Sequence, residues 1–151
     1  MKKLLPAMLA SVFIFLAGCD NVSVSKGSLS ADDVIMSVSE NGPAAADRKF
    51  QRGVPIFIKL TVKGIKQADD SQVWVQQDLA VNGPNGGAVL NKENMVDLHS
   101  KAPAGTNQVT LNNDLNLPAD APVGAYEATI SVRDKISGGT TKTTLKFTVE
   151  G

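Results

Sequence analysis

The chain has 151 residues, with 15 basic side chains against 15 acidic ones, one histidine and one cysteine. That length suits a single domain, and the even charge leaves no basic excess to hold nucleic acid by counterion release. A lone cysteine rules out an internal disulfide, and a lone histidine leaves no His/Cys set to complete a zinc site.

Lys2 and Lys3 precede an apolar run from Leu4 to Ala17, interrupted only by Pro6 and Ser11. A basic start followed by an apolar run too short to span a bilayer reads as an export signal. The run ends in Leu16-Ala17-Gly18-Cys19, where two small residues fit the narrow groove of a signal peptidase. Residues 1–18 are thus expected to be a cleaved leader. Residues 19–33 are rich in Ser, Asn and Asp with scattered valines, and read as a flexible tether to a folded domain over 34–151. Asn21-Val22-Ser23 matches a glycosylation sequon, which carries little weight in such a tether.

From Val34 the pattern turns to period two, as a half-buried strand requires. Val34, Met36 and Val38 suggest a first strand. Ile56, Ile58, Leu60 and Val62 alternate with Phe57, Lys59, Thr61 and Lys63. Val73, Val75, Leu79 and Val81 follow, with Gln77 as the odd polar member of the inner face. The run Asn82 to Gly87 is a turn, after which Ala88–Leu90 and Val96 with Leu98 give two short strands. Val109, Leu111, Leu115 and Leu117 form another, interrupted by Asn113. Tyr126, Ala128, Ile130 and Val132 lead through a turn at 134–139 to Thr141, Thr143, Leu145, Phe147 and Val149, a terminal hairpin. No sustained helical period occurs after residue 34. Seven or eight short antiparallel strands argue for an all-β sandwich.

Chemistry-bearing residues are sparse. His99 shares a strand face with Asp97 in this reading, but no second His or Cys completes a metal site. No G-x-S-x-G elbow is present, and the glycines from Gly83 to Gly87 precede a strand and lack the Lys-Ser/Thr of a phosphate loop. The Asp and Asn clusters at 69–70, 112–114 and 120 lack the alternate-oxygen spacing of a calcium loop. Phe57 and Trp74 fall on faces that alternation assigns to solvent, which makes them the candidate binding face. The plain alternative is partial burial under a neighbouring loop.

Two resemblances add to this. Leu16-Ala17-Gly18-Cys19 resembles the lipobox of bacterial lipoproteins, over the whole segment Met1 to Cys19. It implies a diacylglyceryl thioether on Cys19, cleavage after Gly18 and a further acyl chain on the new amino terminus. One acyl chain binds only reversibly at about 0.8 kcal/mol per buried CH₂, so two or three make the anchor lasting. Asp20, next in the chain, resembles the signal that keeps enterobacterial lipoproteins on the periplasmic face of the inner membrane; where that rule does not operate, the outer membrane is expected. The second resemblance is carried by Pro122-Val123-Gly124-Ala125-Tyr126, which looks like the tyrosine corner of immunoglobulin-like and fibronectin-type sandwiches. It implies that Gly124 makes a sharp turn and that the Tyr126 hydroxyl bonds to upstream backbone. Ala128 stands where an immunoglobulin domain carries its second cysteine, and Trp74 is out of phase with the core positions Val73 and Val75, so neither the disulfide nor the core tryptophan is matched.

Together these readings lead to an immunoglobulin-like β-sandwich behind a lipidated amino terminus. It is expected to be a non-enzymatic interaction or scaffold module of the cell envelope, with a membrane anchor, an envelope protein partner, no metal, no cofactor beyond the lipid on Cys19 and no nucleic acid. The rival expectation is a module that binds envelope glycan or a small ligand through Phe57 and Trp74.

Overall fold

The computed structural model describes residues 21–151, with side chains from residue 23 onward. The expectations for the leader, for Cys19 and for Asp20 lie outside the described residues. Within them the protein is all-β, with no helix and nine strands: β1 (Asn21–Lys26), β2 (Ser30–Ser37), β3 (Lys49–Gln51), β4 (Ile56–Lys63), β5 (Gln72–Asn82), β6 (Ala88–Lys101), β7 (Gln108–Leu115), β8 (Gly124–Asp134) and β9 (Thr140–Glu150). The larger sheet runs β1-β9-β8-β5-β6, and the smaller runs β2-β4-β7. Pairing is antiparallel except where β3 runs parallel to the end of β9, Lys49 opposite Thr148.

Alternation explains the two-sheet arrangement. In β4, β5, β8 and β9 every second residue is buried. Ile56, Ile58, Leu60 and Val62 from one sheet meet Val75, Leu79, Val81, Ile130 and Leu145 from the other, all essentially without solvent contact. Removing such side chains from water is the main favourable term in folding, at about 25 cal/mol per Å² of apolar surface. Phe147 stacks on Tyr126 with ring centroids 5.4 Å apart and meets Phe50 edge-on at 6.0 Å, which closes one end of the core.

The sheets differ in width, and their alignment is set by two contacts. β2 touches β9 and β1, and Asn113 of β7 bonds to Gln77 of β5. The smaller sheet therefore lies under β9, β8 and β5, and β6 reaches past its margin. This explains why Leu90, Met95, Val96 and Leu98 of β6 are only half-buried while their counterparts on β5 are fully buried.

Three sequence expectations are corrected. The count of seven to eight antiparallel strands becomes nine with one parallel pair, because β1 and the three-residue β3 both add to β9. Residues 21–26, expected as tether, are a strand: Ser23 and Ser25 bond to the Thr143 and Thr141 hydroxyls at 3.1 and 2.9 Å. Those two threonines are buried polar positions of β9, and the β1 serines satisfy them. The remaining stretch is also held, with Leu29 and Ala31 in the core. Lastly, the two short strands expected at 88–90 and 96–98 are one long β6. Its register against β5 shifts between Gln77 and Leu79, where Asn94 has φ +50°. That bulge interrupts the alternation from which strands are read.

Candidate functional site

Trp74 projects from the outer face of the larger sheet, because its neighbours Val73 and Val75 occupy the core. It stands opposite His99 of β6, and the two rings stack with centroids 4.7 Å apart and planes 18° from parallel. Lys135, just past β8, places its Nζ 5.6 Å from the indole centroid. His99 thus approaches the ring from the β6 side and Lys135 from the β8 side. The indole Nε1 donates to Asp97 Oδ1 at 2.8 Å, and Gln76 Nε2 donates to the other carboxylate oxygen at 3.3 Å. Asp97 and His99 do share a face, as expected, but Asp97 holds Trp74 and Gln76. No group of three potential metal ligands occurs among the described residues.

Phe57 is half-buried on the outer face of the smaller sheet, between Ser37 of β2 and Asp114 of β7. It therefore lies on the opposite side of the sandwich from Trp74. The candidate binding face of Phe57 and Trp74 is corrected on this point. Alternation turns each ring outward, but the two strands belong to different sheets, so no single ligand spans both.

Tyr126 is buried, and its hydroxyl donates to the Pro122 carbonyl at 2.6 Å. Gly124 has φ +136°, and a Cβ there would stand 2.9 Å from the Pro84 ring, so both conformation and space call for glycine. These two residues do what the motif implies: they turn the chain into β8 and close the end of the core.

Three polar arrangements were not foreseen. Gln77 and Asn113, each read as an odd polar interruption, are partners across the interior: the Gln77 amide donates to Asn113 Oδ1, and Asn113 Nδ2 returns a bond at 3.3 Å. Both are buried, and the pairing satisfies polar groups that would otherwise be costly there. The signal was present as two polar residues at inner positions of separate strands. On the larger sheet's outer face, Arg133 forms a two-pronged ion pair with Asp78 and donates to Asn94 Oδ1 at 2.9 Å, while the Asn94 backbone N–H donates to Asp78 Oδ1 at 2.8 Å. The hydrogen bond from Arg133 holds the Asp78 carboxyl below its ordinary value, and the same bond raises Arg133. This triad pins the β6 bulge. Finally, Asp134 is a buried carboxylate that accepts from the Lys66 and Ile136 amides at 2.8 and 2.9 Å and from Ser137 Oγ at 2.5 Å. It ties the β8–β9 turn to the β4–β5 connection.

No family model matches the chain, and no curated protein matches it. Solved structures do share its fold. The C-terminal domain of wzt superposes with a TM-score of 0.62 at 9% identity, covering 89% of this chain and 80% of that one. A Niemann-Pick type C2 protein from Japanese carpenter ant gives 0.53 at 13% identity, over 85% of this chain and 99% of that one. An alkylpurine DNA glycosylase, AlkC from Pseudomonas fluorescens, gives 0.51 at 11% identity, over 82% of this chain but 31% of its own length. At such identities the likeness concerns the all-β fold and not activity.

Proposed function

We propose that this chain is a lipid-anchored protein of the bacterial envelope whose immunoglobulin-like sandwich serves as a non-enzymatic interaction module. The observation that carries the reading is the lipobox-like Leu16-Ala17-Gly18-Cys19, placed directly before the first strand of the domain. The Tyr126 to Pro122 bond and the division into β2-β4-β7 and β9-β8-β5-β6 support the immunoglobulin-like assignment. Asp20 favours the periplasmic face of the inner membrane.

Docking runs through the free side of β7. A strand edge offers unpaired N–H and C=O groups to an extended segment of another protein. β7 keeps an unbroken register with β4 over its whole length and contains no proline or lysine. The partner is accordingly an envelope protein with an extended segment, apolar at every second residue.

Labelling with radioactive palmitate tests the anchor. The wild type takes up label and sediments with inner membrane, Cys19→Ser accumulates as unlabelled precursor, and Asp20→Ser moves outward. Normal processing of Cys19→Ser would end this reading.

A further inference from the structure

We infer that the outer face of β1 and β9 lies against the membrane, seated on anionic phospholipid headgroups. This rests on the anchor proposed above and adds an orientation to it. Only Asp20 separates Cys19 from β1. Two residues span at most about 7 Å, so a lipid on Cys19 holds Asn21 at the bilayer surface and leaves no length for a tether. Asn21 pairs with Leu145, which puts the attachment level with the stretch of β9 between Lys142 and Lys146.

The chemistry of that stretch fits the surface it would meet. Lys142 and Lys146 are exposed on the outer side of β9, since Thr141, Thr143 and Leu145 between them point inward. Val24 of β1 stands opposite Lys142 and is 66% exposed. Lys26, one turn of the pleat further on, shares the Val24 face and is also exposed. None of these three lysines forms an ion pair with a described residue. The acids on this face are Glu127, opposite Lys146, and Glu150, which is bound to Lys49 at 3.3 Å. Beside Lys26 and Lys142 a depression of about 440 Å³ reaches Val24 and Arg133. Three lysines outside any ion pair among the described residues, set around an exposed valine, match anionic headgroups above an acyl layer, and lysines near such a surface are attracted to it. The other outer face, on β4 and β7, carries Lys59 next to the Phe57–Asp114 pair, and Lys63, which is already engaged by Asp32 and Asp33.

Cys19 is the only cysteine, and lipid on it leaves an introduced cysteine as the only free thiol. The test places one at Thr144, between the two lysines, and in a second variant at Thr61 on the opposite outer face. Each full-length lipidated protein is treated with a charged maleimide in detergent, in phosphatidylcholine vesicles and in vesicles containing phosphatidylglycerol. Thr144→Cys is expected to lose most of its labelling in the phosphatidylglycerol vesicles alone, and Thr61→Cys to label in all three. Replacing Lys26, Lys142 and Lys146 by Gln should restore labelling of Thr144→Cys. Equal labelling of Thr144→Cys in detergent and in phosphatidylglycerol overturns the orientation while leaving the anchor intact. Equal protection in both kinds of vesicle overturns the role of the lysines. A parent chain whose Cys19 reacts with maleimide and takes up no fatty acid removes the anchor, and this inference falls with it.

Discussion

β6 and β7 end their sheets on the same flank of the sandwich, and they are built in opposite ways. β6 is long, carries Lys92, Glu93 and Lys101, and is broken by a bulge whose Asn94 is held by Asp78 and Arg133. Charge and a bulge are the usual means by which an edge is kept from pairing. β2, at the far edge of the smaller sheet, has the same device: its register shifts between Asp32 and Ile35, with Asp33 at φ +50°. β7 has neither. It is regular and uncharged except for Asp114, and it is pinned from the inside by Asn113. Of these three edges, β7 is the plain one, where a strand can be added.

The contrast can be broken from the inside first. Gln77→Leu leaves the buried Asn113 amide without a partner, and the expected loss is about 1–3 kcal/mol. The double variant Gln77→Leu, Asn113→Leu should recover most of that loss, because no polar group is then stranded. Denaturant melts of both would show it; a double variant as unstable as the single one would mean that the amides do more than satisfy each other.

Tyr126→Phe acts next, on the connection by which the chain leaves β7 for β8. It removes the bond to the Pro122 carbonyl at a cost of about 0.5–1.5 kcal/mol, seen as a lower midpoint at unchanged slope. An unshifted midpoint would take away the tyrosine corner.

Asp78→Asn loosens the β6 bulge. The pair with Arg133 is partly exposed, so its worth is modest, about 0.2–1 kcal/mol. The folded Asp78 titrates below its ordinary value of 3.8. Its contribution is therefore complete above that value and fades as pH falls through the lower folded one. The stability gap between wild type and Asp78→Asn should be constant near neutrality and close only in strong acid. A gap that closed instead with rising pH would contradict the ion pair.

Thr110→Lys gives β7 the charge that β6 already has. Thr110 is exposed, so stability should change by no more than about 0.5 kcal/mol. Site-specific photocrosslinking from Asn112 to an envelope partner should nevertheless disappear, and crosslinking that survived the lysine would place docking elsewhere.

Most of this architecture was legible as alternation. The strands around Ile58, Val75, Ile130 and Leu145 announce themselves because one face of each meets water and the other meets core. What escaped has physical reasons. Three residues, as in β3, carry no period. The alternation Val22-Ser23-Val24-Ser25 was in plain view, but serines look like linker until Thr141 and Thr143 are known to face them. A bulge made β6 look like two strands. The partnership of Gln77 with Asn113, and the separation of Phe57 from Trp74, depend on which strand joins which sheet, and local pattern does not carry that information. Phe57 and Trp74 were read as one face for this reason, whereas the roles of Gly124 and Tyr126 followed from a motif whose contacts are only four residues apart.

The position of β9 has a consequence for how the chain acquires its shape. β9 receives β8, β1 and β3 as neighbours, and Ser23 must find Thr143 across 120 residues. Contacts that remote are closed late and slowly, since the entropy of the loop is lost before any of them forms. The larger sheet therefore stays unfinished until β9 joins it. If the chain is exported as proposed, that delay keeps it open while it is threaded through a translocation channel, where a domain that closed early would block its own passage.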